Sequence, residues 1–162
     1  MSESSPLEEQ YYEKSPAYIK WEQEFDGKTV VDLSGKNLTD EDALAIGELL
    51  KANNTLERLY LGDNNITNVQ SIGDALKTNT TLEKLDLGNN EITDDGGIQS
   101  IIDGLKSNNT LEWLELRDNQ LSNDMKSKLD TIGQDKEMWL YAIGQYKAMW
   151  IYHYSNKIKL RF

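Results

Sequence analysis

Apolar residues recur along this chain at two alternating spacings. The first is period two. Leu59 and Leu61 alternate with Arg58, Tyr60 and Gly62, which predicts a short strand with its leucines on one side. The second is a helical stripe at i, i+3, i+7, formed by Ala43, Ile46 and Leu50, by Val69, Ile72 and Leu76, and by Ile98, Ile101 and Leu105. The last residue of each stripe stands six residues before the next leucine: Leu56, Leu82 and Leu111. LERLYLGDNNIT, LEKLDLGNNEIT and LEWLELRDNQLS repeat one pattern around Leu59, Leu85 and Leu114, and TVVDLSGKNLT is a weaker copy around Leu33. With Val31, Leu59, Leu85 and Leu114 taken as equivalent, the periods are 28, 26 and 29 residues. The longest period gains its length from Asp94-Asp95-Gly96-Gly97. Strand, turn, helix, turn at a near-fixed period predicts stacked coils, with parallel strands on one side and helices on the other.

Asn64, Asn90 and Asn119 follow each strand at one fixed offset. An amide there can satisfy backbone groups where the chain leaves the strand, and losing it would leave them unpaired at roughly 1–3 kcal/mol each. Lys36 stands at that offset in the first copy, which marks it as an edge repeat. Thr39, Thr67, Thr93 and Ser122 precede the helical stripes and are predicted N-caps. Stacked coils need covered ends. Ser15-Pro16 followed by AYIKWEQEF predicts a helix over 16–25, with Tyr18, Trp21, Glu22 and Phe25 at helical spacing. At the other end Met125, Leu129 and Ile132 continue a helical stripe, and Met138, Tyr141 and Ile143 fill the slots of a degenerate fifth strand. WIYHY and KIKLRF alternate on either side of Ser155-Asn156, a hairpin signal over 149–162. A continuous helix through 136–153 is the competing reading. The chain thus divides into a flexible N-terminus (1–15), an N-terminal cap helix (16–28), repeats (29–121) and a C-terminal aromatic cap (122–162).

The pattern L-x-x-L-x-L-x-x-N-x-(I/L), in three in-register copies, resembles the leucine-rich-repeat family in its ribonuclease-inhibitor-like class. That resemblance implies an α/β fold: a short right-handed solenoid with a parallel sheet on the concave face and helices on the convex face. It also implies a non-enzymatic scaffold for protein–protein interaction. Residues 108–129, NNTLEWLELRDNQLSNDMKSKL, distantly resemble the last repeats of tropomodulin-type actin-end cappers, which implies a cytoskeletal regulator as the alternative function.

Charge and chemistry narrow the picture. The net charge is −11 and the pI about 4.5. This argues against nucleic acid, whose phosphates need clustered Lys and Arg, and for a protein partner with a basic surface. Residues 1–26 carry −5, residues 27–121 carry −9 and residues 122–162 carry +3. There is no cysteine, which suits a reducing, cytoplasmic setting. The acidic N-terminus has no apolar run for a secretory signal, and no stretch approaches the length of a membrane span. His153 is the sole histidine, too few for a zinc site without companions. No catalytic constellation, phosphate loop or cofactor fingerprint is legible, so neither an enzyme nor a cofactor is expected. Asp94-Asp95-Gly96-Gly97 is the best metal candidate, and a turn before a helix explains it. Five N-x-T sequons, beginning at Asn37, Asn53, Asn65, Asn79 and Asn108, arise from the repeat itself.

Outward strand positions are free of packing duty and form three columns: Val30, Arg58, Lys84, Trp113; then Asp32, Tyr60, Asp86, Glu115; then Ser34, Gly62, Gly88, Arg117. Aromatics mixed with Arg and carboxylates suit an interface. Arg58, Tyr60, Lys84, Asp86, Trp113, Glu115 and Arg117 are therefore the candidate partner-binding residues, with Tyr60 and Trp113 as anchors and Asp86 and Glu115 as acceptors for a Lys or Arg. Gly62 and Gly88 are expected to flatten one edge so that a partner can approach. The assembly expected is a monomer or a dimer joined through the C-terminal tail.

Overall fold

Each leucine alternation forms a three-residue strand, and the strands pair in register. The computed structural model describes residues 14–135 and the backbone of 139–141. Five strands, β1 (Val30–Asp32), β2 (Arg58–Tyr60), β3 (Lys84–Asp86), β4 (Trp113–Glu115) and β5 (Trp139–Tyr141), make one parallel sheet in chain order. Val31, Leu59, Leu85 and Leu114 lie opposite one another. They head a file of buried side chains that includes Leu61, Leu87 and Leu116.

Five helices alternate with the strands: α1 (Pro16–Phe25), α2 (Asp40–Ala52), α3 (Gln70–Leu76), α4 (Ile98–Ser107) and α5 (Asn123–Asp135). Every residue of the three predicted stripes is buried. The helices α2, α3 and α4 approach closely because glycine stands where they meet. A Cβ on Gly73 would lie 2.4 Å from the backbone of Ser100 and Ile101, and one on Gly104 would lie 2.6 Å from the Gly73 carbonyl oxygen. The first helix starts as its sequence requires, with Ser15 Oγ accepting from the Tyr18 N–H at 3.1 Å and Pro16 in the first turn. Its Trp21 and Phe25 are buried in the common core. Trp21 Nε1 donates to Asp42 Oδ1 at 2.7 Å, tying α1 to the first turn of α2.

Two asparagine files run along the coils. In the first, the Asn64 amide donates to the carbonyls of Leu33, Leu61 and Gly62, while its oxygen accepts from the Leu38 N–H. Asn90 and Asn119 repeat this one coil further on, accepting from Ile66 and Ile92. The second file lies at the other end of the helices. Asn79 donates to the carbonyls of Leu50 and Asn53, and Asn108 to those of Leu76 and Asn79. These are carbonyls that a helix C-terminus and its exit leave open. Asn53, Asn79 and Asn108 each also accept from two N–H groups of the following Thr-Leu turn. Three of the five sequons are therefore structural asparagines, and Asn79 and Asn108 are buried.

Several expectations are corrected. Thr39 and Ser122 stand at the helix starts, and Ser122 Oγ accepts from the Met125 N–H at 3.2 Å. Thr67 and Thr93 do not. The α3 helix begins only at Gln70, after Val69, and α4 at Ile98, after Gly97 in the left-handed region. Thr67 is instead held from the neighbouring coil, its N–H and hydroxyl both donating to the Asp40 carboxylate. In the fifth strand it is Leu140, not Tyr141, that lies opposite Leu114. Of the C-terminal readings, the hairpin over 149–162 and Ile143 lie outside the described residues, and a continuous helix through 136–153 is overturned because 139–141 is strand β5, paired with β4.

Candidate functional site: the outer face of the sheet

Because the strands pair without offset, their outward residues line up across the coils. Val30, Arg58, Lys84 and Trp113 are successive partners, and so are Asp32, Tyr60, Asp86 and Glu115. Backbone bonds from Gly35 to Gly62, from Asp63 to Gly88 and from Asn89 to Arg117 carry the alignment into the third column. All seven candidate residues thus share one face. Arg58 is exposed, and Tyr60, Lys84, Asp86, Trp113 and Arg117 are half-buried.

Glu115 departs from its expected part. It is only 4% exposed, and its Oε1 accepts from Arg117 Nε at 2.7 Å and from the Arg117 N–H at 2.9 Å. The pairing, chiefly through that hydrogen bond, holds the Arg117 guanidinium above its ordinary value. Glu115 is therefore committed inside the chain. Glycine gives it the room to be buried there. A Cβ on Gly88 would sit 3.0 Å from Glu115 Cγ, and one on Gly62 would sit 3.3 Å from Asp86 Oδ1. Both glycines are buried beneath the carboxylates of the next coil, so they give room to those side chains instead of an open edge to a partner.

Asp86 has a different environment. Its Oδ1 accepts from the Gly88 N–H at 2.8 Å, and among the described residues it makes no ion pair of the kind Glu115 makes. Burial pushes its carboxyl above the usual range. The Gly88 N–H opposes that shift, the charges of Asp63 and Asp32 add to it, and Arg117 opposes it. Asp32, in the same column, is held below the usual range by the Ser34 N–H and hydroxyl.

The turns flanking the face carry a feature that the strand pattern does not announce. Gly35, Asp63, Asn89 and Asp118 occupy one equivalent place and share left-handed backbone, with φ of 65°, 58°, 50° and 54°. Gly, Asn and Asp are the residues that tolerate this region, so the residue types at that place were the available signal. The Ser122 hydroxyl, and then the Ser122 N–H that donates to the Asp94 carboxylate at 2.9 Å, hold that carboxylate below the usual range. Among the described residues no group of three or more His, Cys, Asp or Glu is placed to hold a metal ion, and no helix is long and apolar enough to cross a membrane. His153 lies outside them.

Residues 54–106 match the family model described as leucine rich repeats, two copies. Leucine-rich repeats are present here. They span β2, α3, β3 and most of α4. Among solved structures, the fold is similar to that of Leiomodin-1 Actin-Binding Site 2 (ABS2), with a TM-score of 0.67 over 88% of this chain and 86% of that one. The sequence identity is 21%, so the likeness is one of fold. No curated protein matches the chain.

Proposed function

We propose that this chain is a non-enzymatic module whose leucine-rich repeats hold a protein partner on the outer face of the sheet. The observation that carries the reading is the alignment of outward residues from every coil into columns, with Tyr60 and Trp113 half-buried among charged neighbours. Rigid aromatics of that kind supply contact area at low entropic cost, and a polar surround excludes water from them. In this reading the coils form a right-handed solenoid of the ribonuclease-inhibitor-like class. The sheet is its concave face and the helices its convex one. The α1 helix is the N-terminal cap, and β5 is the last described strand at the other end. The module works in the cytoplasm, as a monomer or a dimer joined through the C-terminal tail, without cofactor, on a partner with a basic surface.

The test is capture of a partner on immobilised protein, its identification by mass spectrometry, and its affinity for the paired variant Tyr60→Ala/Trp113→Ala. A loss of at least about 2 kcal/mol, roughly 30-fold, is expected if both rings are anchors. Unchanged affinity refutes the sheet face as the site. A second reading, a cytoskeletal regulator acting on actin, is favoured by the extent of the structural likeness to an actin-binding site. Co-sedimentation with actin filaments, and assembly assays at filament ends, decide it.

A further inference from the structure

We infer that the step from Tyr60 to Asp86 on the sheet face is a seat for a basic side chain, lysine or arginine, of the protein partner. The inference rests on the sheet-face reading above and names the chemistry recognised there.

Two carboxylates of one column have opposite arrangements. Glu115 lies over Gly88 and is neutralised by Arg117. Asp86 lies over Gly62, comes close to Gly88, and among the described residues accepts a hydrogen bond from the Gly88 N–H alone. The Arg117 guanidinium is near enough to act on Asp86, but its Nε is committed to Glu115. Asp63 and Asp32 add like charge around Asp86. The glycine at position 62 leaves no side chain beneath the carboxylate, and Asp86 is half-buried, neither enclosed nor fully exposed. Such a group is costly to hold charged and gains when a cation arrives.

The neighbours fit that cation. Tyr60 is the register partner of Asp86, so a ring stands one strand away, within reach of a guanidinium bound at the carboxylate. The surrounding repeats carry −9, a field that draws a basic segment and repels phosphate. Nucleic acid is disfavoured by the same charges. A cation held between a carboxylate and an aromatic ring, on a sheet face that also offers Trp113, is the recognition of a basic peptide segment.

The experiment is a titration of the 15N-labelled protein with a capped glycine–serine heptapeptide carrying two central arginines, against the same peptide with citrulline in their place. Amide shifts centred on Tyr60, Gly62 and Gly88 are expected with the arginine peptide alone. Asp86→Asn should weaken binding roughly fivefold or more, and Asp95→Asn, a carboxylate off this face, should leave it unchanged. The Asp86 carboxyl, followed by NMR in the unsubstituted protein, should titrate at lower pH when the peptide is present. Shifts spread evenly over the acidic surface, equal effects of the two substitutions, or an unmoved Asp86 titration overturn the seat. Partner capture separates the two layers. If Tyr60→Ala/Trp113→Ala abolishes capture while Asp86→Asn does nothing, the seat is wrong and the face stands. If capture survives both, the face itself is refuted.

Discussion

Asn64→Ala is the sharpest test of what holds the coils together. The Asn64 side chain is 7% exposed and makes four hydrogen bonds: three from its amide, to Leu33 O (3.0 Å), Leu61 O (2.9 Å) and Gly62 O (3.0 Å), and one accepted from the Leu38 N–H (3.0 Å). Alanine leaves the Leu38 N–H in the interior without an acceptor, which costs about 1–3 kcal/mol. The three carbonyls keep a second lone pair and suffer less, so the expected total is about 2–4 kcal/mol. Urea unfolding should show a lower midpoint with an unchanged slope. Asn64→Asp keeps an acceptor for Leu38 but turns an oxygen toward three carbonyls. At neutral pH it should cost at least as much as alanine. The introduced carboxyl would be raised in the folded state, so stability should return as pH falls through that raised value and the protonated oxygen donates again. A cost for alanine below about 0.5 kcal/mol, or an aspartate variant as stable as the parent at neutral pH, would refute the hydrogen-bond account.

Two further predictions concern stability. Gly73→Ala should destabilise by about 1–3 kcal/mol in thermal unfolding, because the added methyl meets the α4 backbone at 2.4 Å; a surface helix would instead gain by up to about 1 kcal/mol from the same change, so the sign of the shift decides. Asp86→Asn should be neutral to stabilising at pH 7. With a folded value above the unfolded one, the native state holds the proton more tightly, so stability falls as pH rises through that window and the charged form costs. The advantage of Asp86→Asn in melting temperature should close as pH drops below the unfolded carboxyl value, and a variant less stable than the parent at neutral pH would sink the argument.

The coil was legible because its signal is periodic: all nine stripe residues and the strand leucines point where their spacing demands. The asparagine offset was legible for the same reason. What was not legible depends on the neighbouring coil. Thr67 reads as an N-cap, yet Asp40 reaches across from the previous coil and takes its donors, so α3 starts later. Asn79 and Asn108 read as sequons because the Thr that follows hides the buried amide, whose carbonyl partners lie on the preceding coil. Strand parity turned Glu115 outward but gave no hint that Arg117 would fold onto it in the space left by Gly88. In the last strand the leucine period has decayed, so the register rested on Tyr141 instead of Leu140.

Both asparagine files point one way along the chain. Asn64 completes the coil before it, as do Asn90 and Asn119, and Asn79 and Asn108 finish the helix ends of their predecessors. A coil made during synthesis therefore keeps an unanswered buried N–H until the next has emerged and closed over it. Shortening the protein from its C-terminal side removes the groups that seal what remains, whereas shortening it from the N-terminal side removes mainly what they seal. The buried amides thus give the stack a direction, each coil being sealed by the one that follows it.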